Sequence, residues 1–557
     1  MRRLGMVERA RRADSRVNRC ATLADVTALL PALLRRAAAD APDRTALVEA
    51  GGRRVTWAEL DAEADAVAHG LDAQGLVAGY RVVIAMGNRV ELVAAYFGVL
   101  RARLVAVPVN PRSTTGELAR MLGDCGARLV LADQGTVQTV RQAVAGLEDA
   151  LTGADDELRS RAFVPRVVVA GPPTLPGETS YDDLLTESRG ALPDVPDAEA
   201  LAVLLYTSGA TGRPRAAMLA HRALAANVAQ AAEVEPPMIS ADDVVLGVLP
   251  LFHVYGLNAV LGQVVNQACR LVLVDGFDAE ASLTLVEDEA ITVLPVAPPA
   301  LVRWLDVPDL RERMSGVRLV LSGSAPLPPE VAERFTEVTG IPVHQGYGLT
   351  EAAPIVTSTL CSATPKPGSV GAALPGVEVR LVDERGRAPE PGDPGEIEVR
   401  GPNLFSGYWP DGADGPDEDG WFRTGDVGFL DPDGDLFLVD RIKDLVIVSG
   451  FNVYPVEVEE VLAELDDIAE VAVIGTPDEK TGEAVVAFVR PAAGTSLSAD
   501  ELAERVREHA ATRLARFKQP TQVHVVDELP HTVTGKVAKG RLRNAQRRNA
   551  GLLEDPA

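Results

Sequence analysis

Lysine is almost missing from this chain. Of 54 basic residues only six are lysines (Lys366, Lys443, Lys480, Lys518, Lys536 and Lys539), and the first 365 residues hold none. Arginine is the default cation, so a lysine retained inside a motif points to a need for a compact point charge rather than a planar fork. Lys443 and Lys536 lie inside motifs; Lys366, Lys480, Lys518 and Lys539 read as surface residues kept by drift. Cysteine is also scarce: Cys20, Cys125, Cys269 and Cys361 are scattered and form no C-x-x-C pair. This excludes a clustered-cysteine metal site or a disulfide framework and fits a reduced, cytoplasmic protein. No apolar run approaches the roughly 18 residues that a membrane span needs. The arginine-rich opening MRRLGMVERARRADSRVNRC lacks the apolar core of a signal peptide, and residues 1–20 read as a disordered extension. Positive charge is short overall, with a net charge of −26. That argues against nucleic acid or an anionic membrane as a global partner, so anionic ligands need a locally built site.

What is present is a large apolar fraction. Hydrophobic residues make up 46% of 557 positions, too long a chain for one core. β-Branched runs such as RVVIAM (81–86), RLVLAD (128–133), RLVLVD (270–275) and RLVLSG (318–323) alternate with alanine-rich amphipathic stretches such as WAELDAEADAVAHGLDA (57–73). Strands alternating with helices predict an α/β fold with mainly parallel sheets. From about residue 368 short strands separated by Gly/Pro turns predict a small β-barrel or antiparallel sheet. Residues 441–557 mix helix and strand and are long enough for an α+β domain of their own. The expected organisation is a large domain over 21–440, its barrel-like part at about 368–440, and a C-terminal domain over 441–557.

The most informative segment is YTSGATGRPRAAMLAH (206–221). Small residues let backbone N–H groups and hydroxyls approach phosphate oxygens closely. The loop is not the P-loop pattern of nucleoside triphosphatases, and alone it reads as a solvated turn more readily than as a phosphate cradle. Its company decides between the two. SGSAPLP (322–328) is a small-residue turn after a strand, suited to packing beside a flat ring. QGYGLTEAAP (345–354) puts an aromatic, a hydroxyl and a carboxylate on one loop, and oxygen donors of that kind suit a hard divalent cation. TGD (424–426), DRIKDLVIVSGFNVYPVEVE (440–459) and LPHTVTGK (529–536) follow in order. The acidic turn DPDGD (431–435) lacks the glycine spacing and terminal Glu of a calcium loop and reads as a hairpin turn.

Taken together, these motifs resemble the adenylate-forming superfamily of acyl-CoA synthetases, peptide-synthetase adenylation domains and firefly-type luciferases. The likeness covers about residues 21–546 and is greatest to medium- and long-chain fatty acyl-CoA ligases. The resemblance implies a large N-terminal domain of two sheets plus a barrel and a mobile C-terminal lid. It also implies activation of a carboxylic acid with Mg²⁺·ATP to an acyl-adenylate, then transfer to CoA. By that likeness Thr207, Ser208, Gly209, Thr211, Gly212 and Arg215 hold the pyrophosphate end. Thr350 meets the α-phosphate, and Glu351, with Thr207, takes Mg²⁺. Ser324, Ala325, Pro326, Gly346 and Tyr347 flank adenine, while Asp426 and Arg441 take the ribose. Lys536 bridges carboxylate and α-phosphate, Lys443 marks the hinge, and Gly450 lines the thiol tunnel. His253, Gly256, Gly323 and Gly346 border the acyl pocket; an isolated His in an apolar stretch is otherwise usually a satisfied core residue.

This chain departs from the family pattern at Ala210, which lacks the usual hydroxyl, and at Arg215 and Ala216, where lysine and glycine are commoner. An aromatic acid as substrate, an acyl carrier protein as acceptor and a homodimer stay open. A non-catalytic relative is disfavoured by the retention of Glu351 and Lys536.

Overall fold

The computed structural model describes residues 29–152, 161–172, 174–185, 197–207, 214–383, 385–390, 393–441, 446–448, 451–478, 481–532 and 536–549. The expected N-terminal extension over residues 1–20 lies outside them. The chain divides into two compact units: the residues up to Leu204 with Leu219–Asp275, and Leu205–Met218 with everything from Gly276 on.

The first unit holds a parallel sheet. Its strands are β3 (Arg81–Ala85), flanked by β4 (Val105–Pro108) and β5 (Leu129–Ala132), with β6 (Arg166–Val169) and β7 (Thr179–Ser180) beyond β5 and β8 (Leu201–Thr207) beyond β4. In register, Val82 lies opposite both Ala106 and Leu129. The central strands β3, β4 and β5 are buried along almost their whole length, as continuous apolar runs in a parallel sheet require. The helix Trp57–Ala73 starts where the sequence predicts it. Thr56 accepts the Glu59 N–H at 3.2 Å while the Glu59 carboxylate takes the Thr56 N–H at 2.8 Å, a reciprocal cap. A second group in this unit pairs β1 (Thr45–Glu49), β10 (Val244–Gly247) and β11 (Arg270–Leu273) in parallel, with β2 (Arg54–Thr56) antiparallel to β1.

The second unit contains a parallel set of β12 (Val293–Val296), β13 (Leu319–Ser322) and β14 (Val343–Gly348), extended antiparallel by β15 (Ile355–Ser358) and β16 (Ala372–Ala373). The barrel-like segment is a four-stranded antiparallel sheet: β17 (Glu378–Val382), β18 (Gly395–Arg400), β19 (Trp421–Leu430) and β20 (Leu436–Arg441). The C-terminal segment forms its own sheet from β21 (Val446–Val448), β22 (Phe451–Val453), β23 (Ile468–Asp478), β24 (Gly482–Pro491) and β25 (Gln522–Val525). The helices Pro455–Ala463 and Ala499–Arg513 pack their apolar sides, Val458, Leu462, Leu502 and Val506, into its core. No helix among the described residues is long and apolar enough to cross a membrane.

The lysines correct one sequence expectation. Lys366 donates to Asp431 and Asp433, Lys518 to both Glu457 carboxylate oxygens at 2.5 and 2.7 Å, and Lys539 pairs with Glu459 at 2.8 Å with its side chain 15% exposed. These three are ion-pair members rather than survivors of drift; Lys480 lies outside the described residues. The Lys366 ammonium also fills the acidic hairpin turn 431–435 with an internal cation, in keeping with its reading as a turn.

Candidate adenylate-forming site

The second unit brings the end of the glycine-rich loop against two distant segments. Residues 403–409 run beside β9 (Arg215–Ala220) at its start. The Trp409 N–H donates to the Ala216 carbonyl at 2.9 Å, the Met218 N–H to Gly407 at 3.0 Å, and the Ser406 N–H to Met218 at 2.9 Å. Gly407 has to be glycine here: its φ is +85°, and a Cβ would lie 2.0 Å from the Gly412 carbonyl oxygen. The same segment grips the loop after β14. Phe405 N–H donates to the Glu351 carbonyl at 2.8 Å and the Asn403 side-chain amide to the Ala352 carbonyl at 2.7 Å.

Side chains complete this junction. The Tyr408 hydroxyl donates to a Glu351 carboxylate oxygen at 2.5 Å. Burial, reinforced by the Glu351 charge, holds the Tyr408 phenol well above its usual range, so it stays protonated and donates. The Arg215 guanidinium lies 3.8 Å from the Tyr408 ring centroid and pairs with Asp414 at 2.7 Å. Glu351 is buried at 9% exposure on the short 3₁₀ turn Thr350–Ala352, and Thr350 beside it is half-buried. Thr207 ends β8, with its hydroxyl 3.4 Å from the Arg215 carbonyl. Ser208, Gly209, Thr211 and Gly212 lie outside the described residues.

One turn before Glu351, Tyr347 is buried and its hydroxyl donates to Asp426 Oδ2 at 2.7 Å. Asp426 is 6% exposed, and its own N–H donates to Thr424 Oγ1 at 3.1 Å, which sets the carboxylate's backbone. Across the β19–β20 ladder its register partner is Arg441. Two residues that the sequence separates by 15 positions are thus neighbours because a hairpin folds them together. Gly346 sits on β14 where a Cβ would come within 2.8 Å of the Thr357 carbonyl oxygen. After β13, Gly323 donates its N–H to Val296 at 3.1 Å, and Ser324 turns the chain with φ +71°, leaving Ala325 half-buried and Pro326 exposed. A non-glycine residue in the left-handed region is uncommon and clusters at binding sites.

Lys536 is exposed and its backbone pairs with Thr532. The Thr532 N–H donates to the Lys536 carbonyl at 2.7 Å and the Lys536 N–H to Thr532 Oγ1 at 3.1 Å, beside a bridge between His531 and Val537. Lys443 and Gly450 lie outside the described residues. The remaining two predicted residues belong to the first unit. Asn88 fixes their loop: its amide donates to the Gly247, Leu249 and Val274 carbonyls, and its oxygen accepts the Leu251 N–H at 2.9 Å. His253 follows, half-buried, and its Nδ1 accepts the Tyr255 N–H at 3.3 Å. The chain then winds as a π-helix over Tyr255–Gly262, a wide turn that recurs at functional sites. Gly256 is needed for packing, since a Cβ would lie 2.4 Å from the Pro250 carbonyl oxygen.

Sequence reasoning missed Tyr408 and Asp414. Nothing in GYWPDGADG marks a partner for a glutamate 57 positions upstream; the pairing of residues 403–409 with β9 on one side and with Glu351 and Ala352 on the other makes them neighbours.

Comparison with known proteins decides the family. Residues 34–409 match the AMP-binding enzyme family and residues 457–536 the AMP-binding enzyme C-terminal domain. The chain belongs to the AMP-binding enzyme family. It is 33% identical to a long-chain-fatty-acid–CoA ligase of Bacillus subtilis over 93% of this chain and 95% of that protein. An indoleacetate–CoA ligase of Aromatoleum aromaticum is 36% identical over 88% of this chain and 93% of its own length. Among solved structures, ATP-bound MatB from Rhodopseudomonas palustris superposes with a TM-score of 0.82 at 33% identity, covering 93% of this chain and 99% of that one. This AMP-binding enzyme is an acid–thiol ligase: it activates a carboxylic acid with ATP and passes the acyl group to CoA.

Proposed function

We propose that this AMP-binding enzyme activates an apolar carboxylic acid, a medium- or long-chain fatty acid in the first instance, with Lys536, Thr350, Glu351 and Arg441 in the catalytic roles. The substrate carboxylate is itself the nucleophile at the α-phosphorus, so the protein supplies position and charge rather than a covalent intermediate. The observation that carries the reading is the pair formed by Glu351 and Asp426, two buried carboxylates each held by a tyrosine hydroxyl, at 2.5 and 2.7 Å. Buried carboxylates are costly unless a partner uses them. A ribose that offers two hydroxyls to Asp426 is one such partner. Arg441, its register neighbour, takes the ribose with it, and Tyr347 flanks adenine together with Gly346 and the Ser324–Ala325–Pro326 turn. The loop Thr207, Ser208, Gly209, Thr211 and Gly212, with Arg215, holds the pyrophosphate end. Thr350 meets the α-phosphate.

Magnesium fits the donor set. No cluster of three or more acidic, His or Cys side chains that could hold a metal occurs among the described residues. Mg²⁺ beside a polyphosphate needs only one or two protein oxygens, because phosphates and water complete its octahedron. Glu351 and the Thr207 hydroxyl are those oxygens in this reading. The ion would neutralise charge on the departing pyrophosphate. Glu351→Gln should then raise the Mg²⁺ concentration needed for half-maximal pyrophosphate release severalfold and slow adenylation about tenfold, since a neutral amide is a poorer ligand for a hard cation. An unchanged Mg²⁺ titration would move the metal away from Glu351.

For the acceptor, Lys443 serves as the hinge of a C-terminal lid over 441–557 and Gly450 as the wall of the pantetheine tunnel. His253, Gly256, Gly323 and Gly346 border the acid. An aromatic acid is the second reading, because the indoleacetate–CoA ligase is 36% identical to this chain against 33% for the fatty-acid enzyme. A pyrophosphate-release screen over acids from acetate to long-chain fatty acids, with indoleacetate and coumarate alongside, decides between them. Highest kcat/KM for a fatty acid of about eight or more carbons, retained with free CoA as acceptor, is the expected outcome. A preference for the aromatic acids of tenfold or more would replace it. Dependence on an acyl carrier protein would change the acceptor.

A further inference from the structure

Arg215 opens β9, and its surroundings are built for a planar cation. One face of the guanidinium lies 3.8 Å from the Tyr408 ring centroid while its Nη2 pairs with Asp414 at 2.7 Å. A guanidinium stacks on an aromatic face and keeps its edge for a carboxylate, whereas an ammonium holds one position only. The same Tyr408 turns its hydroxyl to the Glu351 carboxylate at 2.5 Å. Its backbone position is fixed on both sides: Gly407 and Trp409 join the strand that carries Arg215, and Phe405 joins Glu351 itself. Phe405 adds an edge-to-face contact with Tyr408 at a 5.0 Å centroid separation.

From this juxtaposition we infer that Tyr408 is a positioning residue for adenylation. Its hydroxyl orients the Glu351 carboxylate toward Mg²⁺·ATP, and its ring holds the Arg215 side chain at the end of the phosphate loop. One aromatic side chain thereby ties the loop's cation to the acidic residue 57 positions upstream of it. Asp414 completes the arrangement by holding the outer edge of the guanidinium. The inference rests on the metal role given to Glu351 above, and its test separates the two.

The test compares Tyr408→Phe with Glu351→Gln and the double variant. Phenylalanine keeps the ring, so Arg215 retains its stacking partner while Glu351 loses a charge-assisted hydrogen bond. Calorimetric ATP binding with and without Mg²⁺ should show that Tyr408→Phe removes most of the affinity that Mg²⁺ adds, about fivefold, and leaves metal-free ATP binding unchanged. Pyrophosphate release should need about fivefold more Mg²⁺, while thioester formation from supplied acyl-AMP and CoA stays at the wild-type rate. Because Tyr408 acts through Glu351, adding Tyr408→Phe to Glu351→Gln should cost little further.

Tyr408→Leu removes the ring as well and should weaken metal-free ATP binding, with Asp414→Asn weakening it in the same direction. If Glu351→Gln shifts the Mg²⁺ titration and Tyr408→Phe does not, the inference fails and the metal assignment stands. If neither shifts it, the metal assignment has failed. Equal loss of both half-reactions in Tyr408→Phe would make Tyr408 a folding residue and overturn the inference.

Discussion

Lys536→Ala is expected to stop acyl-AMP formation by about a hundred- to a thousandfold while sparing thioester formation from supplied acyl-AMP and CoA. The expectation joins a sequence observation to a structural one. A chain with only six lysines against 54 basic residues keeps one at this position. That lysine is exposed, and its backbone is tied to Thr532 through both its carbonyl and its N–H. The hydrogen bonds that tie residue 536 to Thr532 use its backbone, so alanine keeps them and should leave the C-terminal sheet intact. What the lysine supplies in the proposed reaction is a positive charge between the attacking carboxylate and the α-phosphate, needed only while that bond forms. Pyrophosphate release measures the first half-reaction, and consumption of synthetic acyl-AMP with CoA measures the second. Equal loss in both would remove Lys536 from the adenylation step. Lys536→Arg is the useful companion: full rescue would show that charge alone suffices, in a chain where arginine is otherwise the rule.

Much of the fold was legible because the sequence signals are local. The helix at 57–73 is announced by Thr56 and Glu59, and the buried strands by apolar runs with no polar face; the observed strand Arg81–Ala85 falls within the expected 81–86. Of the candidate site, the sequence groups Tyr347, Thr350 and Glu351 within five positions, and the structure sets them at the end of β14 and on the turn that follows it. Tyr408 and Asp414 escaped because their partners are set by long-range pairing: Tyr408 meets Glu351 across 57 positions and Arg215 across a backbone ladder that no spacing rule encodes. The lysines show the opposite error. Lys366, Lys518 and Lys539 looked uncommitted in sequence, yet each faces a carboxylate supplied by a separate segment. Ion-pair partners carry no periodicity, so composition exposes the rarity of a lysine without revealing its purpose.

Asp426→Ala should reduce kcat/KM for ATP about a hundredfold, the scale expected when a charged acceptor of two hydrogen bonds is lost. Two effects contribute, and they can be separated. Alanine removes the acceptor proposed for the ribose hydroxyls, and it also removes the acceptor to which the buried Tyr347 hydroxyl donates at 2.7 Å. Taking the acceptor from a buried donor costs about 1–3 kcal/mol of stability, whereas removing both partners costs less. Tyr347→Phe alone should therefore lower ATP affinity only a few fold, since the carboxylate remains. The double variant Tyr347→Phe/Asp426→Ala should unfold at a higher temperature than Asp426→Ala while keeping its full kinetic defect. Thermal unfolding and ATP titration of the three variants resolve the question. If the double variant recovers ATP affinity together with stability, Asp426 serves chiefly to anchor Tyr347, and the ribose contact has to be carried by Arg441 on the neighbouring strand.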